Sequence, residues 1–171
     1  MAEHPIRFRT IGFKGGSGNE TRDSQNGSVS LRNGENTFQQ MSLVMLTEDG
    51  TPADPEDLGF ELDVKFMDRG EQKLKPSGWV KNGNHAPPGG VDNSEFIQLF
   101  RVQLVGRRAP HHSVTYSANM RDVRVRPQEP SNMDHGNFRG KDGEWCGDEI
   151  QQPLHLYFIN EYQVAVSRRN V

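Results

Sequence analysis

Phe60-Glu61-Leu62-Asp63-Val64-Lys65-Phe66 alternates apolar and charged residues without a break. Successive side chains of a strand leave opposite sides of the pleat, so a period of two marks one dry face and one wet face. The heptapeptide therefore predicts a half-buried strand of an antiparallel sheet. Downstream, Leu154, Leu156 and Phe158 keep one phase with Tyr162, Val164 and Val166. That pattern predicts either one long strand or a hairpin turning near Asn160-Glu161.

The same period recurs elsewhere. Val114, Tyr116, Ala118 and Met120 alternate, and Val123 and Val125 resume one residue out of phase. A slip of this kind reads as a β-bulge. A second slip lies between Phe8 and Ile11, beside Gly12. The runs Phe38 to Leu46 and Phe96 to Val105 are apolar on both faces, as central strands are. No stretch has a convincing helical period. Asp54-Pro55-Glu56-Asp57-Leu58 predicts a single helical turn, with Asp54 as its cap and Pro55 in its first position.

Turn signals separate these runs: Gly15-Gly16-Ser17-Gly18, Asn26-Gly27, Asn33-Gly34, Asn82-Gly83 and Pro87-Pro88-Gly89-Gly90. The sum is an all-β fold of about eight antiparallel strands in a single domain spanning 1–171. A β-sandwich or jelly roll is the first expectation and a β-barrel the alternative. The segments 67–95 and 127–152 read as long polar loops.

Composition narrows the function. The chain has 171 residues, 20 Lys and Arg against 23 Asp and Glu, and a net charge of −3. Leu, Ile, Val and Phe make up about a fifth of it, which supports a lean core. No apolar run reaches the ~18 residues of a membrane helix. Met1 to Arg7 has no apolar segment of the secretory kind, so synthesis in the cytoplasm without a signal peptide is expected. The near-neutral balance does not favour nucleic acid as a partner.

Catalytic and metal motifs are thin. The single Cys146 allows neither an intrachain disulfide nor a multi-cysteine zinc site. The six histidines (His4, His85, His111, His112, His135 and His155) include no pair spaced i, i+2, the spacing that places two ligands on one face of a strand. A cupin-like metalloenzyme is disfavoured on that ground. Gly15 to Gly18 lacks the Lys-Ser/Thr ending of a phosphate loop. No cofactor and no catalytic residue is expected. The segment 134–149 gathers Asp142, Glu144, Asp148 and Glu149 with Phe138 and Trp145. It suits a loop packed over the sheet or a partner contact better than a calcium site, since its spacing matches no EF-hand.

Charge is segregated. Glu48, Asp49, Asp54, Glu56, Asp57, Glu61 and Asp63 fall in 48–63 with no base among them. Arg101, Arg107, Arg108, Arg121, Arg124 and Arg126 fall in 101–126 with Asp122 as the one acid. Arginine suits ion pairs at interfaces. The pairing could be within the sheet or between molecules.

These features predict a non-catalytic structural assembly protein, as in the capsid decoration or tail components of bacterial viruses. It would bind copies of itself or a larger protein lattice and form part of a virion. The expected interface residues are Arg107, Arg108, Arg121, Arg124 and Arg126 against Asp54, Glu56 and Asp57, with Phe138 and Trp145 as a second contact. A carbohydrate-binding sandwich is the alternative, with Trp79, Trp145 or Tyr116 as a stacking platform.

Overall fold

The computed structural model describes residues 6–13, 19–32, 38–68, 74–76, 78–81, 84–85, 95–122, 134–147, 151–152 and 155–169. Most of them lie in strands, arranged as three antiparallel sheets. The first sheet has the order β2 (Asn19–Asp23), β1 (Arg7–Phe13), β4 (Gln40–Leu46), β8 (Asn84–His85). The second runs β11 (Asp134–Lys141), β10 (His112–Asp122), β14 (His155–Arg168), β13 (Gln151–Gln152), with β3 (Ser28–Arg32) also on β14. The third runs β12 (Cys146–Gly147), β9 (Glu95–Val105), β5 (Gly59–Asp68), β6 (Leu74–Pro76), with β7 (Val80–Lys81) also on β5. Among the described residues no sheet closes on itself, so the barrel alternative is set aside.

The deciding heptapeptide lies inside β5. Phe60, Leu62, Val64 and Phe66 are buried, while Glu61 and Lys65 are only half-buried. The pattern ending at Val166 resolves, from His155 on, as one strand rather than a hairpin, since β14 continues through Asn160 and Glu161; Leu154 lies outside the described residues. Its ladder with β10 shifts register at Asn119/Met120, so the bulge falls slightly before the slip expected near Val123, which lies outside the described residues.

The slip expected beside Gly12 is a correction. β1 holds one continuous register with both neighbours, and its dry face is Phe8, Thr10 and Gly12. A buried threonine and a glycine imitate a change of phase. The glycine is required there, because an added Cβ would stand 2.5 Å from Leu31 Cδ2 and 2.7 Å from Phe38 Cε1.

The loop assignments also need correction. Strands β6, β7 and β8 lie within 67–95, and β11, β12 and β13 within 127–152. The fold thus has more strand segments than the eight expected. Most of the additional ones are two or three residues long, too short to display a period. β11 is long, but its glycines break the alternation. Gly140 packs where a Cβ would overlap the Tyr116 ring.

One buried cluster draws on all three sheets. Phe8 meets Phe60 edge to face at 5.3 Å between ring centroids, joining the first sheet to the third. Phe100 of the third sheet meets Tyr116 of the second at 5.3 Å and Tyr162 at 6.0 Å. Such aromatic pairs favour edge contacts because the ring faces are negative and the rims positive.

Candidate functional site

The acidic and basic segments meet within the chain. β5 and β9 are neighbours, and their register sets Glu61 against Gln103 and Asp63 against Arg101. Gln103 Nε2 donates to Glu61 Oε2 at 2.6 Å. Arg101 donates twice to Asp63 Oδ2, from Nε at 3.0 Å and from Nη2 at 2.8 Å. Asp63 is 3% exposed, so the charge is held out of water and needs this partner.

Two short strands complete the site. β7 pairs Leu62 with Val80, which brings the preceding Trp79 toward Asp63. β12 pairs Cys146 with Phe100, which brings the preceding Trp145 toward Arg101. The guanidinium lies 4.4 Å from the Trp79 ring centroid and 4.3 Å from that of Trp145. Lys65 Nζ lies 4.4 Å from the Trp145 centroid. Each indole therefore has a cation against it, a contact worth ~0.5–2 kcal/mol depending on its dryness. Tyr116, the third residue of the expected stacking platform, is buried. Its hydroxyl donates to the Glu144 carbonyl at 2.5 Å.

The predicted interface residues divide into three groups. Asp54 does cap a single turn: its carboxylate accepts from Glu56 N at 2.9 Å, and its carbonyl accepts from Asp57 N at 3.0 Å. At the end of that turn Arg108 grips Asp57 through Nε and Nη2, the nearest contact being 2.9 Å. Backbone bonds from Arg107 N to Glu56 O and from Arg108 N to Asp57 O, both 2.9 Å, lock the two turns together. Gly106 makes this approach possible at φ +104, where a Cβ would stand 2.5 Å from Asp57 O. So Arg107, Arg108, Asp54, Glu56 and Asp57 form one corner rather than two opposed faces. Arg107 is 82% exposed there, and its guanidinium reaches Asp57 only at 3.9 Å.

Arg121 stands apart from that corner, on β10 in the second sheet. Phe138 packs half-buried against the core, and Trp145 stacks as described. Arg124 and Arg126 lie outside the described residues. Among the acids of the 134–149 segment, Asp142 is held by protein donors. It accepts from Ser113 Oγ at 2.8 Å, Val114 N at 2.9 Å and Arg169 Nη2 at 3.1 Å. Asp148 and Glu149 also fall outside the described residues. No cluster of three or more metal-ligating side chains occurs among the described residues.

The sequence reading missed the wet face of the second sheet. Thr115, Ser117 and Gln163 line an open groove of about 580 Å³ there, with Arg139 and Lys141 on β11 and Glu144 beyond them. The signal was present in Ser113, Thr115, Ser117 and Asn119, the polar half of the β10 alternation.

Burial sets the titration of the buried groups. It pushes the Cys146 thiol up to about 12 and the Tyr116 hydroxyl up to about 12. On the surface, the Arg9 guanidinium lowers the Asp23 carboxyl, and the Thr47 and Thr51 hydroxyls lower that of Asp49.

No protein-family model, no curated protein and no solved structure matches this chain.

Proposed function

We propose that the chain is a non-catalytic structural subunit that assembles with copies of itself, extending into a larger lattice such as the capsid or tail of a bacterial virus. In this reading the three open sheets pack as a sandwich or jelly roll and present their edges to neighbours. One observation carries it. β11 runs eight residues, and among the described residues it is laddered only to β10. A long edge strand leaves a row of backbone donors and acceptors able to pair with another chain. The exposed corner of Arg107 and Glu56 adds charged groups for a neighbour, and such groups give specificity more than affinity.

The test is solution mass by light scattering over a range of protein concentration and salt, with hydrogen exchange in parallel. Assembly predicts a mass above 19.3 kDa and slowed exchange of β11 amides as the mass rises. Loss of mass at high salt assigns the contact to the charged corner, and salt-independent mass assigns it to strand edges. A 19.3 kDa species at every concentration and salt overturns self-assembly.

A further inference from the structure

We propose that the wet face of the second sheet is a binding groove for an anionic glycan, a sugar chain bearing carboxylate or sulfate groups. This inference goes beyond the assembly reading and does not depend on it, because the groove lies on a sheet face and the proposed contact on a sheet edge.

Strand register builds the groove. Lys141 of β11 stands opposite Thr115 of β10, Thr115 opposite Ala165 of β14, and Ala165 opposite Ser28 of β3. Two residues along, Arg139 stands opposite Ser117, Ser117 opposite Gln163, and Gln163 opposite Ser30. Each row thus begins with a cation and continues through small or hydrogen-bonding side chains. Four strands at ~4.8 Å spacing make each row about 14 Å wide. Thr115, Arg139, Lys141, Gln163 and Ser30 are exposed, so the donors face solvent.

Charge marks this face. Several exposed cations among the described residues sit against an acid: Arg9 with Asp23 at 2.6 Å, Arg22 with Glu20 at 2.9 Å, Arg108 with Asp57 at 2.9 Å and Arg169 with Asp142 at 3.1 Å. Arg139 and Lys141 form no ion pair with any described residue. Two exposed cations two residues apart on one strand point the same way and outnumber the one carboxylate of the lining, Glu144.

The groove floor is rigid. Asp142, next to Lys141, is fixed by its three hydrogen bonds, and Gly143 N donates to Val102 O at 2.7 Å. Tyr116 ties Glu144 to the sheet from below. Preorganised donors lose little entropy on binding.

The lining chemistry selects the ligand. A protein partner usually needs a dry aromatic or aliphatic anchor. The two rows offer only Ala165 in that role. A glycan presents hydroxyls that hydrogen-bond to Thr, Ser and Gln, and its acidic groups meet the guanidinium and ammonium.

The test is calorimetric titration with oligogalacturonate (carboxylate), a sulfated dextran oligomer (sulfate) and neutral dextran. Wild type should bind at least one anionic probe at least tenfold more tightly than neutral dextran, and the two anionic arms tell carboxylate from sulfate. R139A/K141A should lose tenfold or more in affinity, and S117E should lose as much, because it sets a carboxylate opposite Arg139 where the ligand's anionic group would sit. Arg7→Ala removes an exposed cation of the first sheet and should leave binding unchanged. The proposal is overturned by any of three results: no binding of either anionic probe at millimolar concentration, equal binding of neutral dextran, or an equal loss from Arg7→Ala, which would show indiscriminate polyanion attraction. Loss of oligomer mass in R139A/K141A without glycan binding would also overturn it, assigning the face to a second copy.

Discussion

The hydroxyls of Thr10 and Tyr162 lie 2.6 Å apart in a place neither side chain shares with water. Thr10 Oγ1 also donates to the Ser42 carbonyl at 3.0 Å, so the tyrosine hydroxyl is the donor toward Thr10. The chain of bonds runs from the second sheet into the first. Its polarity makes the two deletions unequal. Tyr162→Phe removes a donor and leaves Thr10 satisfied by Ser42, costing about 1 kcal/mol. Thr10→Val strands a buried tyrosine hydroxyl without its acceptor and should cost about 2–3 kcal/mol. The double variant should cost less than the sum, since the stranded donor is then gone. Urea unfolding of the three variants measures this. Equal single-variant losses that add would refute the directed chain.

Burial should separate two arginine–aspartate pairs that look alike in sequence. Arg101→Ala leaves the Asp63 carboxylate almost dry and removes the cation that lies against both Trp79 and Trp145. The loss should be about 2–4 kcal/mol, near the range for breaking a buried pair. Arg108→Ala breaks a pair in which both side chains are well exposed and should cost under about 1 kcal/mol. Arg101→Lys should recover only part of the first loss, because an ammonium lacks the planar fork that donates from both Nε and Nη2 to Asp63. Equal denaturation midpoints for Arg101→Ala and Arg108→Ala would contradict the assignment.

Gly12 explains where the sequence misleads. β5, β9, β10 and β14 were legible because their dry faces are unbroken apolar series. β1 was not, because its dry face contains Thr10, whose hydroxyl is answered inside the core, and Gly12, whose missing side chain is filled by Leu31 and Phe38. Neither compensation is local in sequence. The pairing of the acidic and arginine segments was legible as a possibility, but its location depended on the β5–β9 register. Gly12→Ala should therefore destabilise by about 1–3 kcal/mol, the usual cost of overpacking a core. Thermal unfolding checks it. A variant as stable as wild type would mean that Leu31 and Phe38 can yield freely.

Alkaline pH should loosen the fold through Cys146 and Tyr116. Both are neutral when protonated, and burial raises both, from ordinary values of 9.0 and 10.0 to about 12. The folded state therefore keeps these protons after the unfolded chain has begun to release them. With fewer protons on the unfolded side, the slope of unfolding free energy against pH is negative. The stabilisation is complete below about pH 9 and declines as pH rises toward about 12. Cys146→Ala should flatten the first part of that decline, and Tyr116→Phe the later part. The same burial makes the thiol a probe of folding, because the thiolate is the reactive form. Disulfide-exchange reagent at pH 8 should label native protein at least a hundredfold more slowly than urea-unfolded protein. Comparable labelling rates, or stability that holds level from pH 8 to 11, would show that this region opens readily to water.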